Sequence, residues 1–517
     1  MLRDGPAVAV YALCADSQGM SECRGVCEVV SFGLADQPKQ QAQPACYLDL
    51  AATDSLLVAG GPQSGRTTFA RALITGLVTR FRPDQAHLYV VEHQPGGLSD
   101  YAGLPHCGGV FAPAEPDRIR RLVTWLDQES QRRAASRLAR GGQTDPVIVV
   151  VIDGWEQFEN RADPALADSS LGPTLRDVIK SGAPRGIHIV PIGGQEMMSG
   201  KVPALCHQRL LLPFPNEDTR RVHLRTGMAS PPHLPGRAID AANGRHVQIC
   251  LPTTTAAGLA SSVDTDYDPC RLPRRFPPLP DRVTVADLAL PQPPPSPTWI
   301  PLGIGGPDTT TVGIDLFETG PHLLFISGPP GSGRTTAVVT LARTLRRAGI
   351  AVLAVAPPQS PLRRMLADDD GTRVVVAGAL ADSALRETAA AFGDRYAVLL
   401  DDADRITVQR AKQGFGDTPT LLDEIAHPAQ HGRRALILAA DATPILSGQR
   451  RSLAKVTNEI LMSGTRILLT PGKRGDAREL GMTLEPDQYF TRPPARGYLA
   501  TTGAPTLIQL AAIDYSK

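Results

Sequence analysis

Two stretches of this chain read almost alike, Gly60-Gly61-Pro62-Gln63-Ser64-Gly65-Arg66-Thr67 and Gly328-Pro329-Pro330-Gly331-Ser332-Gly333-Arg334-Thr335. Both fit the pattern G-x-x-x-x-G-[K/R]-[ST], in which the glycines let backbone N–H groups curl around phosphates. An apolar run precedes each stretch and a helical pattern follows it, so each loop leads into a helix N-terminus, which favours an anion. The repeat therefore predicts two nucleotide-binding modules in tandem.

Both loops carry arginine where the pattern usually has lysine. A guanidinium is planar and wider than an ammonium, but it can still bind a phosphate bidentately. Because the lysine is part of the phosphoryl-transfer template, we expect ATP to bind and its hydrolysis to be slow. The residues predicted to bind the nucleotide are Gly60, Gly61, Pro62, Gln63, Ser64, Gly65, Arg66, Thr67, Thr68, Gly328, Pro329, Pro330, Gly331, Ser332, Gly333, Arg334, Thr335 and Thr336.

An apolar run ending in aspartate follows each loop further along the chain. The first run, residues 147–152, ends at Asp153, and the second, residues 397–400, ends at Asp401. Such a carboxylate orients Mg²⁺ beside the loop hydroxyl, here that of Thr67 or Thr335. A strand-end aspartate on its own is more often a turn residue, but a phosphate loop upstream in the same module favours the metal role.

The residue after this aspartate is commonly a glutamate that polarises the attacking water. The first module has Gly154 there, with Glu156 two positions on, and the second has Asp402, one methylene shorter than glutamate. Glu156 is either a displaced base or a solvated surface acid. The predicted catalytic residues are Asp153, Asp401 and Asp402, and this set argues against fast turnover.

The chain is long enough for more than one hydrophobic core, with 517 residues, 42% hydrophobic and 20% charged. A net charge of +1 gives no global basic field that would indicate a nucleic-acid partner. Its apolar runs are much shorter than a membrane span. The eight cysteines lack the spacing of a zinc site and are expected to be free thiols.

Apolar strands alternate with helical patterns in both halves of the chain. This alternation predicts an α/β fold with largely parallel sheets that are covered by helices on both faces. A proline-rich stretch, residues 263–298, predicts a linker between a first module, residues 51–262, and a second, degenerate module, residues 299–517. Residues 1–50 are too short for a module and are expected to be the tail of a preceding domain of the same kind.

The chain resembles the FtsK/SpoIIIE family, especially the tandem C-terminal ATPase modules of type VII secretion. The likeness rests on residues 57–65, on Val151-Ile152-Asp153-Gly154-Trp155, and on Trp299-Ile300-Pro301-Leu302-Gly303-Ile304-Gly305. The resemblance implies two RecA-like P-loop NTPase domains that bind ATP with Mg²⁺ and assemble as a homo-oligomeric ring. It also implies a cytoplasmic location beside the inner face of the membrane, reached through partners.

The resemblance further implies which partners to expect. They are other FtsK-like ATPase domains or a membrane-anchored secretion complex, together with protein export substrates. In such relatives the later modules bind ATP tightly, hydrolyse it poorly, and recognise or gate substrates. Here both P-loop lysines are arginine and the glutamates are missing, so a regulatory or substrate-engaging role is expected rather than autonomous motor activity.

Two other functions remain open at this point. One is a component of an ATP-dependent DNA translocase, acting on duplex DNA in chromosome segregation or conjugal transfer. The near-neutral charge does not favour it, and a steep salt dependence of DNA binding would support it. The other is a degenerate scaffold that binds no nucleotide.

Overall fold

The chain folds as two compact units, Met1–Pro277 and Pro278–Lys517. The structure is a computed structural model that describes residues 28–51, 55–92, 97–139, 145–158, 170–225, 227–366, 372–409, 412–413, 416–442, 453–489, 492–501 and 503–513. Within this described part, no helix is both long enough and apolar enough to cross a membrane.

The first unit is built on one ten-stranded sheet. Its strands are β1 (Val29–Asp36), β2 (Ala45–Asp49), β3 (Leu56–Ala59), β4 (Ala86–Glu92), β5 (Cys107–Phe111), β6 (Val147–Asp153), β7 (Ile187–Gly193), β8 (Gln208–Leu211), β9 (Arg237–Asp240) and β10 (His246–Ile249). Its helices are α1 (Arg66–Arg80), α2 (Pro116–Ala139), α3 (Leu171–Gly182), α4 (Gln195–Met198), α5 (Glu217–Val222) and α6 (Ala256–Ser262).

The strand order in this sheet is β2-β1-β10-β9-β8-β3-β7-β6-β4-β5. The six strands from β8 to β5 are parallel to their neighbours, and the four from β2 to β9 are antiparallel. Alternate side chains of β6 point into two separate cores, with Val149 and Val151 in one and Ile148 and Val150 in the other. The parallel half is therefore buried on both faces, as the unbroken apolar runs predict.

The second unit repeats this plan. Its main-sheet strands are β11 (Trp299–Gly305), β12 (Thr310–Asp315), β13 (Leu323–Ser327), β14 (Ala351–Ala356), β15 (Thr372–Val376), β17 (Tyr396–Leu400), β21 (Arg434–Ala440), β22 (Thr465–Leu469), β23 (Arg496–Ala500) and β24 (Thr506–Leu510), and the smaller strands are β16 (Ala379–Ala381), β18 (Thr407–Gln409), β19 (Lys412–Gln413) and β20 (Gly416–Asp417). Its helices are α7 (Arg334–Arg347), α8 (Leu362–Met365), α9 (Asp382–Ala390), α10 (Leu421–Ala426), α11 (Ala454–Ser463) and α12 (Arg474–Glu479).

The main sheet of the second unit has the order β12-β11-β24-β23-β22-β13-β21-β17-β14-β15, which is the order of the first sheet strand for strand. The predicted α/β class with largely parallel sheets is confirmed for both units. Each sheet also has an antiparallel extension of four strands, which the strand–helix alternation did not indicate.

Residues 29–49 differ from their predicted place in a preceding domain. They form β1 and β2, and β1 pairs with β10, where Gly33 lies opposite Ile249. The buried side chains of Val30 and Phe32 belong to a core of the first unit. This segment is therefore part of the first unit. Its apolar face is completed by strands from the far end of that unit.

The proline-rich segment also differs from an extended linker. Tyr89 Oη donates to the Arg274 carbonyl at 3.1 Å, and the Phe276 ring is buried against Tyr89 and Trp125. In the second unit, Arg496 Nη2 donates to the Pro280 carbonyl at 2.7 Å. The middle of this segment is thus packed against the units, with Arg274 and Phe276 on the first and Pro280 on the second.

Candidate functional site: two phosphate loops

The first loop lies between the central strand β3 and helix α1. Gly65 has a φ of 107°, and a Cβ atom there would lie 2.9 Å from the Gly236 nitrogen, so glycine is required. Gly333 of the second loop has nearly the same φ, 102°. Among the described residues, no side chain caps the helix that follows either loop, so the first N–H groups of both helices are left to a ligand.

Each loop is tied to the antiparallel half of its sheet by one backbone hydrogen bond. The Gly236 N–H donates to the Ser64 carbonyl at 2.8 Å, and the Ala495 N–H donates to the Ser332 carbonyl at 2.8 Å. The hydroxyls of Ser64 and Ser332 are buried, and neither has a hydrogen-bond partner in the described part of the chain. These loops therefore have the same shape and the same anchor.

The predicted metal residues come together in both units. Thr67 Oγ1 donates to Asp153 Oδ2 at 3.0 Å, and Thr335 Oγ1 donates to Asp401 Oδ2 at 3.0 Å. In each pair, the threonine lies in the first turn of the helix after the loop. The aspartate follows or ends a strand that is two places away, in the sheet, from the strand before the loop. Hydroxyl and carboxylate oxygens are the donors that Mg²⁺ takes beside nucleotide phosphates.

Burial shifts the ionisation of both strand-end carboxyls, of which Asp153 is half-buried and Asp401 is fully buried. Burial raises the pKa of Asp153, although the Thr67 hydroxyl and the Arg66 guanidinium oppose the rise. Burial likewise raises the pKa of Asp401, which is fully buried, while hydrogen bonds from Ser360 and Thr335 lower it. A bound cation would offset this cost of burying a negative charge.

The P-loop arginines have acidic partners within their own units. Arg334 Nη2 donates to Asp402 Oδ1 at 2.8 Å, and Arg334 Nη1 donates to the Gly328 carbonyl at 2.7 Å. In the first unit, Arg66 Nη1 lies 3.7 Å from Glu156 Oε1. Glu156 also accepts a hydrogen bond from the Gly194 N–H at 3.1 Å. Glu156 is therefore not a solvated surface acid, because its carboxylate contacts Arg66 and the Gly194 N–H.

Comparison with known proteins shows which sequences this chain resembles. The sequence model of the FtsK/SpoIIIE family matches residues 31–146. The predicted resemblance to the FtsK/SpoIIIE family is confirmed over these residues. It is 26% identical over 354 residues to the ESX-1 secretion system protein EccCb1 of Mycolicibacterium smegmatis (strain MKD8), a match that covers 61% of this chain and 57% of EccCb1. It is 30% identical over 336 residues to the ESX secretion system protein EccC of Thermomonospora curvata, covering 59% of this chain and 24% of EccC.

Solved structures share the fold over nearly the whole chain. ATPases 2 and 3 of Thermomonospora curvata EccC, solved in complex with a signal sequence peptide, align with a TM-score of 0.64 and 20% identity, covering 96% of this chain and 95% of that one. ATPases 2 and 3 of Geobacillus thermodenitrificans EssC align with a TM-score of 0.65 and 16% identity, covering 94% and 96%. The predicted pair of tandem P-loop domains is confirmed. The chain spans just over half the length of EccCb1.

Two residues at these sites were missed by the sequence analysis. Glu92 ends β4 beside Asp153, is buried, and accepts a hydrogen bond from the Leu98 N–H at 2.8 Å. Ser360 Oγ donates to Asp401 Oδ2 at 2.6 Å. The sequence could have indicated Glu92 as a site residue, because Glu92 ends a predicted strand of a parallel sheet at the edge that carries the loop. Ser360 lies in a loop and has no such signal.

Proposed function

We propose that this chain is an ATP- and Mg²⁺-binding, weakly hydrolytic pair of modules that serves as a regulatory or substrate-engaging part of a type VII-like protein secretion motor. One observation carries the nucleotide part. In both units a glycine loop opens onto a helix without a side-chain cap, and the threonine after the loop arginine bonds the strand-end aspartate. The FtsK/SpoIIIE family is a nucleotide-binding P-loop family.

The residues that would hold the nucleotide and the metal follow from these contacts. Backbone N–H groups of residues 60–68 and 328–336 would bind the phosphates, and Arg66 and Arg334 would add a cationic group each. Mg²⁺ would lie beside the Thr67–Asp153 and Thr335–Asp401 pairs. The bound metal supplies charge neutralisation at the phosphates. Slow hydrolysis is expected because neither unit has a glutamate directly after its strand-end aspartate.

Nucleotide titration of the purified chain tests this proposal. Arg66→Ala and Arg334→Ala should each lower ATP affinity in their own unit by about tenfold or more, because a charge-assisted hydrogen bond to phosphate is lost. The measurement is calorimetric titration with ATP, with and without Mg²⁺, together with chromatographic analysis of nucleotide retained after purification. Removal of Mg²⁺ with EDTA should weaken binding further.

Matched controls come from the same two helices. Arg80→Ala and Arg347→Ala remove exposed arginines at the opposite ends of α1 and α7 and should leave ATP affinity unchanged. Unchanged affinity in both P-loop variants would mean that the sites are wrongly assigned and would favour the scaffold alternative.

The secretion part of the proposal rests on the relatives, which are named as secretion system proteins. We expect the chain to co-purify from native membranes with a membrane-anchored FtsK-like component, as part of an oligomer. Immunoprecipitation followed by mass spectrometry measures this. Recovery with duplex DNA instead, with an affinity that falls steeply as salt rises, would support the DNA translocase alternative.

A further inference from the structure

The P-loop arginine of the second unit is held by two hydrogen bonds within its own unit. Nη1 donates to the Gly328 carbonyl and Nη2 donates to Asp402 Oδ1, at 2.7 and 2.8 Å. Only 10% of the Arg334 side chain and 16% of the Asp402 side chain are exposed. A pair of this length in partly desolvated surroundings is stronger than an exposed surface pair. The guanidinium is therefore already engaged by a carboxylate.

Asp402 has an unfavourable backbone conformation, so placing this carboxylate costs conformational free energy. Asp402 has a φ of 46° and a ψ of 48°, in the left-handed region that side-chain-bearing residues enter rarely. Its counterpart in the first unit, directly after the strand-end aspartate, is Gly154 with a φ of 107°. Glycine is thus the residue that suits this backbone, and the second unit keeps an aspartate there. That aspartate bonds the P-loop arginine.

We infer that Asp402 competes with the nucleotide phosphates for the Arg334 guanidinium, so that nucleotide binding in the second unit requires the ion pair to open and frees the Asp402 carboxylate. The inference rests on the proposed nucleotide binding of this unit. The basic residue of a P-loop reaches the β- and γ-phosphates, and Arg334 is that residue. Asp402 is then a positioning residue that sets the affinity of the site, in place of the predicted role as a shortened catalytic base.

The first unit provides an internal comparison. Arg66 Nη1 lies 3.7 Å from Glu156 Oε1, beyond hydrogen-bond length, and the other carboxylate oxygen of Glu156 accepts from the Gly194 N–H. The side chains of Arg66 and Glu156 are 24% and 22% exposed, more than their counterparts. Competition for the arginine is therefore weaker in the first unit, although a negative charge is present there as well.

Affinity measurements on full-length variants test the inference. Arg66→Ala weakens ATP binding in the first unit, so that the tighter binding step in the titration belongs to the second unit. In this background Asp402→Asn should raise the ATP affinity of the second unit about tenfold, because the phosphates no longer displace a charge-assisted hydrogen bond. The probe is ATP with Mg²⁺ in calorimetric titration. Asp402→Gly, which suits the left-handed backbone, should give the same gain and covers the case in which the asparagine variant folds poorly.

The control is Glu156→Gln in an Arg334→Ala background. This substitution should change the ATP affinity of the first unit several-fold less than Asp402→Asn changes that of the second unit. Equal gains in the two units would show only a general charge effect and would overturn the inference. Weaker binding by Asp402→Asn and Asp402→Gly would overturn it too, because Asp402 would then orient Arg334 for the phosphates. Unchanged affinity with slower hydrolysis would restore the base assignment.

The outcomes also separate this inference from the proposed function. If the Arg66→Ala chain binds ATP and the Asp402 variants show no gain, competition is wrong while nucleotide binding stands. If neither the Arg66→Ala chain nor its Asp402 variants bind ATP, the second unit is not a nucleotide site, and both proposals fail there.

Discussion

Replacing Asp315 with alanine is expected to lower the free energy of unfolding of the second unit by about 3–5 kcal/mol. Asp315 is buried at the end of β12, just before the strand that carries the second loop. Burial alone would raise its pKa, but hydrogen bonds outweigh burial and hold the pKa well below its usual range. The groups that donate to its carboxylate are the Ser296, Thr298 and Thr319 hydroxyls and the backbone N–H groups of Phe317, Glu318 and Thr319.

The loss in free energy of unfolding is large because this one substitution leaves several buried donors without their acceptor. Because the two units need not unfold together, hydrogen–deuterium exchange of peptides from β13 and from β3 is the suitable measurement. We expect faster exchange in β13 and unchanged exchange in β3. Asp394→Ala, which removes an exposed aspartate of the same unit, is the control. A loss below about 1 kcal/mol would contradict the role assigned to this carboxylate.

The second large effect is a loss of stability of the first unit in mild acid. Burial lowers the pKa of both His87 and His188 to about 4. His87 Nε2 donates to the Arg271 carbonyl at 2.8 Å, and His188 Nε2 donates to the Leu50 carbonyl at 3.0 Å, so Nε2 carries a proton in both rings. The Nδ1 atom of His188 is buried, and no hydrogen-bond partner for it is found among the described residues.

The direction in which stability changes with pH follows from proton uptake by the two histidines. As pH falls from about 6.5 to about 4, these histidines gain protons in the unfolded chain but not in the folded one, so the unfolded chain is favoured. Stability is fully present above about pH 6.5, and each histidine removes up to about 3 kcal/mol by pH 4. Exchange of peptides from β6 and β7 across this pH range, corrected for the intrinsic exchange rate, measures the loss.

His188→Gln should flatten this pH dependence, because a glutamine amide can donate to the Leu50 carbonyl but does not titrate. His207→Gln, at an exposed position in the same unit, is the matched control for the histidine-to-glutamine substitution. Equal slopes in the wild type and in His188→Gln would show that this ring does not account for the acid sensitivity.

The sequence predicted the parts of each site that depend on neighbours along the chain. A glycine loop between an apolar run and a helix needs only local spacing, and the structure has both loops between the predicted strands and helices. Strand-end aspartates in a parallel sheet meet the loop edge by topology, and this is why Asp153 reaches Thr67 and Asp401 reaches Thr335. The class of fold followed from the same pattern.

Contacts between distant residues were not predictable in this way. Whether Glu156 faces water or Arg66 depends on where a short turn after β6 directs its side chain, and no periodicity encodes that direction. The same holds for Asp402, whose carboxylate accepts a hydrogen bond from Arg334. The strands β1 and β2 join the first sheet only because β10, which lies far along the chain, offers them an edge.

The amino-acid sequence by itself thus determined that this chain has two glycine loops, each with an arginine, a threonine and a strand-end aspartate. Only the tertiary structure decided which acidic group faces each arginine, and it did so differently in the two units. The physical reason is that backbone conformation and burial pattern are set by nearby residues, whereas the partner of a long charged side chain is set by the packing of segments that are far apart in the chain.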